Sequence, residues 1–237
     1  MDTDQSFLDV LEDLCANEKP DLIMATGDIS SDGSVSSYVR FLKTIDDFFP
    51  NIPLAWLPGN HDDSENMAAA AGHPIELAYT AGDWHFVLLD SHVPGQPGGS
   101  LSLSEIQRLD SELTKHMDKP TIVFLHHQPL RVGSDWIDQY AVDNADVLFD
   151  VLDKFPQVKV LSWGHIHQEF VSKHKGITLI ATPSTCVQFE PNNHTFKVSE
   201  LMPGYRSYDL FPDGHFTTEV KRVAQKKYSI DFASTGY

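Results

Sequence analysis

The 237-residue sequence is poor in basic side chains: 17 Lys and Arg stand against 34 Asp and Glu, a formal charge of −17. Such a balance argues against nucleic-acid polymers and anionic membranes, which are bound through basic patches. It leaves room for a small anionic substrate, because bound divalent cations reverse the local field of an acidic protein. Cysteine is scarce; Cys15 and Cys186 are too few for a disulfide framework. No apolar run approaches the ~18–20 residues that span a bilayer. The acidic start MDTDQSFLDV lacks the basic and apolar regions of a signal peptide. These absences point to a reducing, cytoplasmic setting. Linkers, repeats and low-complexity segments are also missing, so residues 1–237 are expected to form one domain with a core that folds without staples.

What is present alternates between helix and strand. Phe7, Val10, Leu11 and Leu14 lie on one helical face, predicting a helix over 3–17. Tyr38, Phe41, Leu42, Ile45 and Phe49 mark a second helix. Ser102 and Glu105 read as a capping box ahead of Ile106, Leu109 and Leu113. Val147, Leu148, Val151, Leu152 and Phe155 mark another helix. Between them run the apolar segments 21–28, 52–59, 84–90, 121–127 and 158–165, whose continuous hydrophobicity predicts a mainly parallel sheet. After Gly176 the texture turns to strands and turns, predicting an antiparallel tail. No strand precedes the first helix, although a crossover helix ordinarily joins two strands.

Histidine is frequent, at 12 residues, and several stand in short polar words at the ends of apolar strands. ATGD ends in Asp28. LPGNHDD supplies Asn60, His61 and Asp62. FLHHQP supplies His126 and His127, and SWGHIHQE supplies His165 and His167. Ligands of open α/β sheets gather at the carboxyl ends of strands, so four segments present oxygen and imidazole donors at one edge. Each word alone has a bland reading: GD and PGN are common turns, and HH before Pro also suits packing. GHIH is the sharpest, since alternating His on an extended segment share a face, and a bend after Gly164 lets each serve a different ion. Carboxylate, amide oxygen and imidazole together suit divalent ions such as Mn, Fe or Zn. A carboxylate such as Asp28 can bridge two ions ~3.5–4 Å apart. His61, directly after Asn60, is poorly placed to share its ion but well placed as a general acid. Asp62 reads as a brace for the turn. His73, His85, His92, His116, His174, His194 and His215 fall outside these words and read as structural or surface residues, as Trp136 and Trp163 read as core.

The ordered set GD, GNHD, HH-x-P and GHIH resembles the calcineurin-like metallophosphoesterase superfamily. VFLHHQPL, GHIHQE, ATPSTCVQF, PGYRSYDL, TTEVKR and the closing STGY resemble its bacterial 3′,5′-cyclic AMP phosphodiesterase group, with similarity from about Phe7 to Tyr237. The resemblance implies an α/β fold: a β-sandwich of two sheets flanked by helices, with two divalent ions, Fe or Mn foremost, at the strand ends. Asp28 would bridge the ions. Asn60, His126 and His165 would complete one shell, and His167 would bind the other ion. His61 would protonate the leaving 3′-oxygen, while a hydroxide held by the ions attacks phosphorus in line to give 5′-AMP. Asp28, Asn60, His61 and His167 would face this small-molecule substrate, and the loop 93–100 and STCVQF are candidates for base contacts by position.

The family also opens on a strand with an Asp-x-His word, which supplies two ligands to the ion of His167. No such word precedes Asp28 here, and that ion keeps only Asp28 and His167 from the matched motifs. The expectation is therefore a chain lacking its N-terminal strand. Two further readings stand beside cyclic AMP hydrolysis: an inactive or single-metal member without turnover, and a phosphodiesterase for another phosphoester.

Overall fold

A computed structural model describes residues 1–233. The closing STGY, one of the words carrying the resemblance, lies outside them. Five elements come first: α1 (Thr3–Asn17), β1 (Ile23–Ala25), α2 (Val35–Phe48), β2 (Leu54–Trp56) and α3 (Ser64–Ala71). Then follow β3 (Ala78–Ala81), β4 (Trp84–Leu88), α4 (Leu103–Lys115), β5 (Thr121–Leu125), α5 (Asp135–Asp138), α6 (Ala145–Leu152) and β6 (Val158–Trp163). The chain ends through β7 (Phe170–His174), β8 (Ile177–Ala181), β9 (Gln188–Phe189), β10 (Val198–Ser199), β11 (Gly204–Leu210) and β12 (Phe216–Arg222).

The main sheet has the order β3-β4-β5-β6-β8-β7. Its four central strands are parallel, and β3 and β7 are antiparallel edges. One face, through Val87, Val123, Leu125 and Leu161, packs on Leu109 and Leu113 of α4 and Leu148 and Leu152 of α6. Residues of alternate parity, Phe86, Leu88, Ile122, Phe124 and Val160, form the other face and meet Ala55 and Leu57 at β2 and Tyr208 and Leu210 of β11. Helices α1 and α2 cover the far side of this second layer through Leu11, Ile45 and Phe49. The expected sandwich flanked by helices is there, but its second sheet is in two pieces: a parallel pair β1–β2 and an antiparallel pair β11–β12. Among the described residues no strand joins them, and a cavity of about 890 Å³ opens between Leu22–Met24, Tyr205–Leu210 and the main sheet.

The predicted helices and apolar strands all form. Several further elements were not anticipated, among them α3, α5, β3, β7, β9 and β10. Helix α3 is rich in alanine and shows no periodic large apolar residues, and β3 and β7 are exposed edge strands. Gly176, read as the start of the antiparallel tail, belongs to the turn between β7 and β8, and β8 itself runs parallel to β6, so the wholly antiparallel part of the tail begins only after it. The capping box at α4 is half formed. Ser102 accepts from the Glu105 N–H, but the Glu105 carboxylate accepts from the Asp90 N–H and pairs with Arg108 instead of reaching back. A charged partner and a loop amide outbid the cap. No helix among the described residues is long and apolar enough to cross a membrane.

Candidate metal centre

Strands β1, β2, β5 and β6 end at one edge, and the residue after each turn determines what is presented there. Asp28, His165 and His167 all adopt left-handed backbone, with φ of 55°, 56° and 49°. Such angles are uncommon outside glycine, cost on the order of 1–3 kcal/mol each, and gather where function demands them. Here they aim three side chains that an extended strand would have sent elsewhere. The equal-face picture of GHIH is therefore corrected. His165 and His167 are not successive positions of a pleat, and each is turned separately. The glycines of these words serve close approach. A Cβ on Gly59 would strike the Asp28 carboxylate, and one on Gly27 would strike the His126 ring.

His126 stands at the middle. Its Nδ1 donates to the Thr26 carbonyl at 2.7 Å, which turns Nε2 toward the other words. Around that nitrogen lie His165 Nδ1 at 3.1 Å, Asn60 Oδ1 at 3.2 Å and Asp28 Oδ2 at 3.3 Å. Donors bound ~2.0–2.2 Å from a common ion lie about this far from one another. A single proton on His126 can serve only one of the three neighbours; a cation between them serves all four.

The remaining named residues take distinct places. The exposed His61 is anchored by its backbone N–H, which donates to Asp28 Oδ1 at 3.0 Å. His167 donates Nδ1–H to the Val187 carbonyl at 2.9 Å and stacks on Phe189 at 4.3 Å, leaving Nε2 for the site. Both His126 and His167 thus have a backbone carbonyl fixing the ring, the usual support of a metal-binding imidazole. Asp62 accepts from the Gly59, Ile29 and Ser30 N–H groups and from the Tyr38 hydroxyl, at 2.9–3.1 Å, and so braces the turn that carries Asn60.

Electrostatics follow from burial. It pushes the Asp28 carboxyl up, but the charge and hydrogen bond of His126, then His165 and His61, outweigh it and hold the group well below the carboxylate range. Burial and the neighbouring imidazoles push His165 well down and His167 down to about 4. Burial, then the charge of His126, takes His127 to about 3. Burial pushes His126 down, but the charge and hydrogen bond of Asp28 outweigh it and draw His126 up; the neutral His165 and His167 beside an ionised carboxylate are the ligand states a metal ion requires.

Sequence reasoning gave His127 no role. It lies fully buried, its Nδ1 2.8 Å from Ser91 Oγ, and groups with His126 and His165 as three donors within 4.8 Å. Its Nε2 and that of His165 have no hydrogen-bond partner among the described residues. The doubled HH was the available signal. Gly99 of the loop 93–100 lies against the His127 ring, and Val187 and Phe189 of the 184–189 segment hold His167, so both base-contact candidates border the centre.

The family model for calcineurin-like phosphoesterases matches residues 2–169. The chain is 41% identical over 242 residues to the 3′,5′-cyclic adenosine monophosphate phosphodiesterase CpdA of Vibrio vulnificus, covering 98% of this chain and 86% of that protein. It is 42% identical to the Escherichia coli K12 protein of the same name, covering 100% and 87%. To a 3′,5′-cyclic-nucleotide phosphodiesterase of Nostoc it is 38% identical, covering 98% and 87%. Among solved structures, a dimetal phosphatase from Danio rerio shares the fold with a TM-score of 0.60 at 15% identity, over 93% of this chain and 89% of that one. The chain belongs to the calcineurin-like phosphoesterase family.

Proposed function

We propose that this chain hydrolyses 3′,5′-cyclic AMP to 5′-AMP at a dinuclear centre of Fe or Mn. The observation that carries the reading is the convergence of Asp28, Asn60 and His165 on His126 Nε2 at 3.1–3.3 Å, a cage for a cation. Support for the substrate comes from relatives named as cyclic AMP phosphodiesterases, 38–42% identical across nearly the full chain. In this reading Asn60, His126 and His165 hold one ion, Asp28 is shared, and His167 serves the second. Two divalent ions polarise a phosphoryl group and make water acidic enough to act as a nucleophile near neutral pH. The protein's own part is to fix the ligands, keep His165 and His167 neutral and supply a proton. His61, exposed and tethered to Asp28 through its N–H, is the donor to the leaving 3′-oxygen. The free thiols of Cys15 and Cys186 accord with a cytoplasmic setting.

A second reading rests on an asymmetry. Four donors surround one point, whereas the hydrogen bond and ring contact of His167 go to Val187 and Phe189. This arrangement suits a member that holds one ion without turnover. The cavity between β1 and β11 reaches Thr26, two residues before Asp28, and is the place where a strand bearing Asp-x-His is proposed to pair. The test is metal content and 5′-AMP formation, in Mn²⁺ and in Fe²⁺, for the chain as it stands and for the chain preceded by such a strand. Two ions with turnover in either form support the dinuclear enzyme. One ion and no 5′-AMP in both forms establishes the second reading. Turnover of other phosphoesters but not cyclic AMP would keep the centre and change the substrate.

A further inference from the structure

The two ends of β4 carry different chemistry. Past its carboxyl end, Ser91 reaches His127 of the strand-end centre. At its amino end sits His85, ~20 Å away along six residues of extended chain. Trp84, Phe86 and Leu88 face the β2 layer, so His85 faces α4, and it is 1% exposed. Its Nδ1 lies 3.2 Å from Thr80 Oγ1. Its Nε2 has no hydrogen-bond partner and stands 3.7 Å from Glu112 Oε2. One helical turn on, His116 places its Nε2 3.8 Å from the same oxygen. The two imidazoles stack with centroids 3.9 Å apart and planes at 27°. Glu112 Oε1 is taken by Lys115 at 2.6 Å, which leaves Oε2 toward the rings. One donor atom from each of His85, Glu112 and His116 lies within 4.8 Å of the others.

An ion pair does not account for the place of His85 in this cluster. Burial, then the neighbouring His116, holds His85 down to about 4, so its ring is neutral near pH 7 and offers Glu112 no charge. Folding rarely leaves a buried ring nitrogen without a partner. In the tautomer that donates Nδ1–H to the Thr80 hydroxyl, that nitrogen presents a lone pair toward a carboxylate and a second imidazole. Two imidazoles and one carboxylate are a sufficient set for a borderline divalent ion, with water in the fourth position.

We propose that His85, Glu112 and His116 form a second metal site, which takes one Zn²⁺ and clips the end of α4 to the start of β4. Zinc bonds of ~2.0–2.2 Å require the three donors to draw closer than they stand. The half-buried His116, at the helix end, has the freedom to turn inward. The ion here is separate from those of the strand-end centre and takes no part in catalysis.

The test is zinc content per chain after dialysis against micromolar zinc chloride, in wild type, His116→Ala, Glu112→Gln and His165→Ala. Both peripheral variants are expected to hold one ion fewer than wild type with unchanged circular dichroism, while His165→Ala retains this ion. Zinc anomalous scattering from wild-type crystals should place a peak ~2.0–2.1 Å from His85 Nε2. Saturating zinc should raise Tm by about 5 °C more in wild type than in His116→Ala. Equal zinc contents in wild type and both peripheral variants overturn the site. So does a crystal with no peak at His85, which needs no variant to fold.

Discussion

Asp9 on α1 and Asp28 after β1 are both largely buried carboxylates held below their usual range, yet the two regions are built in opposite ways. Asp9 is saturated. Lys226 and Tyr228 of the C-terminal segment each reach it at 2.6 Å, and Gln5 adds a third hydrogen bond at 3.0 Å. Every partner is a donor with a proton to give, so charge and lone pairs are satisfied on the spot. Asp28 instead faces a cluster of imidazoles in which burial holds His127, His165 and His167 neutral while Asp28 itself draws His126 up, and two rings of the cluster have nitrogens without a partner. The first arrangement is complete as a fold contact and fastens the chain's end to its first helix. The second is complete only with a cation. A buried acid reads as a structural contact when donors saturate it, and as a candidate metal centre when imidazole nitrogens without partners surround it.

The largest effect that bears on this contrast is Asp28→Ala. It should abolish metal retention at the strand-end centre and lower cyclic AMP hydrolysis by at least ~10⁴-fold while the fold persists; Asp9→Ala should leave metal content and turnover intact and lower only the melting temperature. Reversed outcomes would break the comparison. Next, His61→Ala should cut kcat about 10³-fold without changing metal content. The defect should shrink on a 4-nitrophenyl ester, whose leaving group needs no proton. If both substrates suffer equally, His61 is not the proton donor. Asp62→Ala comes third. Four donors lose their acceptor, which should cost about 3 kcal/mol of stability by urea unfolding. Asp62 sits two residues from Asn60 but belongs with Asp9: its neighbours are donors, and a loss of turnover without a loss of stability would contradict that assignment.

Much of this was legible in the sequence, for reasons that differ by residue. Period-3.6 patterns marked α1, α2, α4 and α6, and continuous apolar runs marked the buried strands, because those signals arise from burial on a regular element. The strand-end words revealed Asn60 and His126 because donors at the ends of parallel strands converge by topology alone. What the pattern could not convey is backbone hand. His165 and His167 were read by strand period, whereas both are left-handed, and no residue type in GHIH signals that. The role of His127 was hidden for a similar reason: a second His in HH is indistinguishable from packing until Ser91 and the loop at Gly99 are seen to close on it. The cluster of His85, Glu112 and His116 joins a strand to a helix 27 residues later, a register set by tertiary packing. The divided second sheet is likewise a matter of which strands pair, which apolar runs do not encode.

The smallest effect is the most direct probe of the saturated side of the comparison. Tyr228→Phe removes one of the three donors on Asp9 and should cost about 1 kcal/mol near neutral pH, with metal content and turnover unchanged. Its pH dependence carries the argument. Burial pushes the Asp9 carboxyl up, but Lys226, Tyr228 and Gln5 outweigh it, so its folded value lies below the unfolded one. Stability from such a group is fully present above the unfolded value, ~3.9, and is lost as pH falls through the folded value. The difference between wild type and Tyr228→Phe should therefore be constant from pH 7 to about pH 5 and narrow at lower pH, as protonation removes the charge that the phenol stabilises. Urea unfolding of both proteins across that range reads it. A difference that stayed constant into acid would mean that Tyr228 contributes by packing alone, and Asp9 would then owe its low value to Lys226 and Gln5.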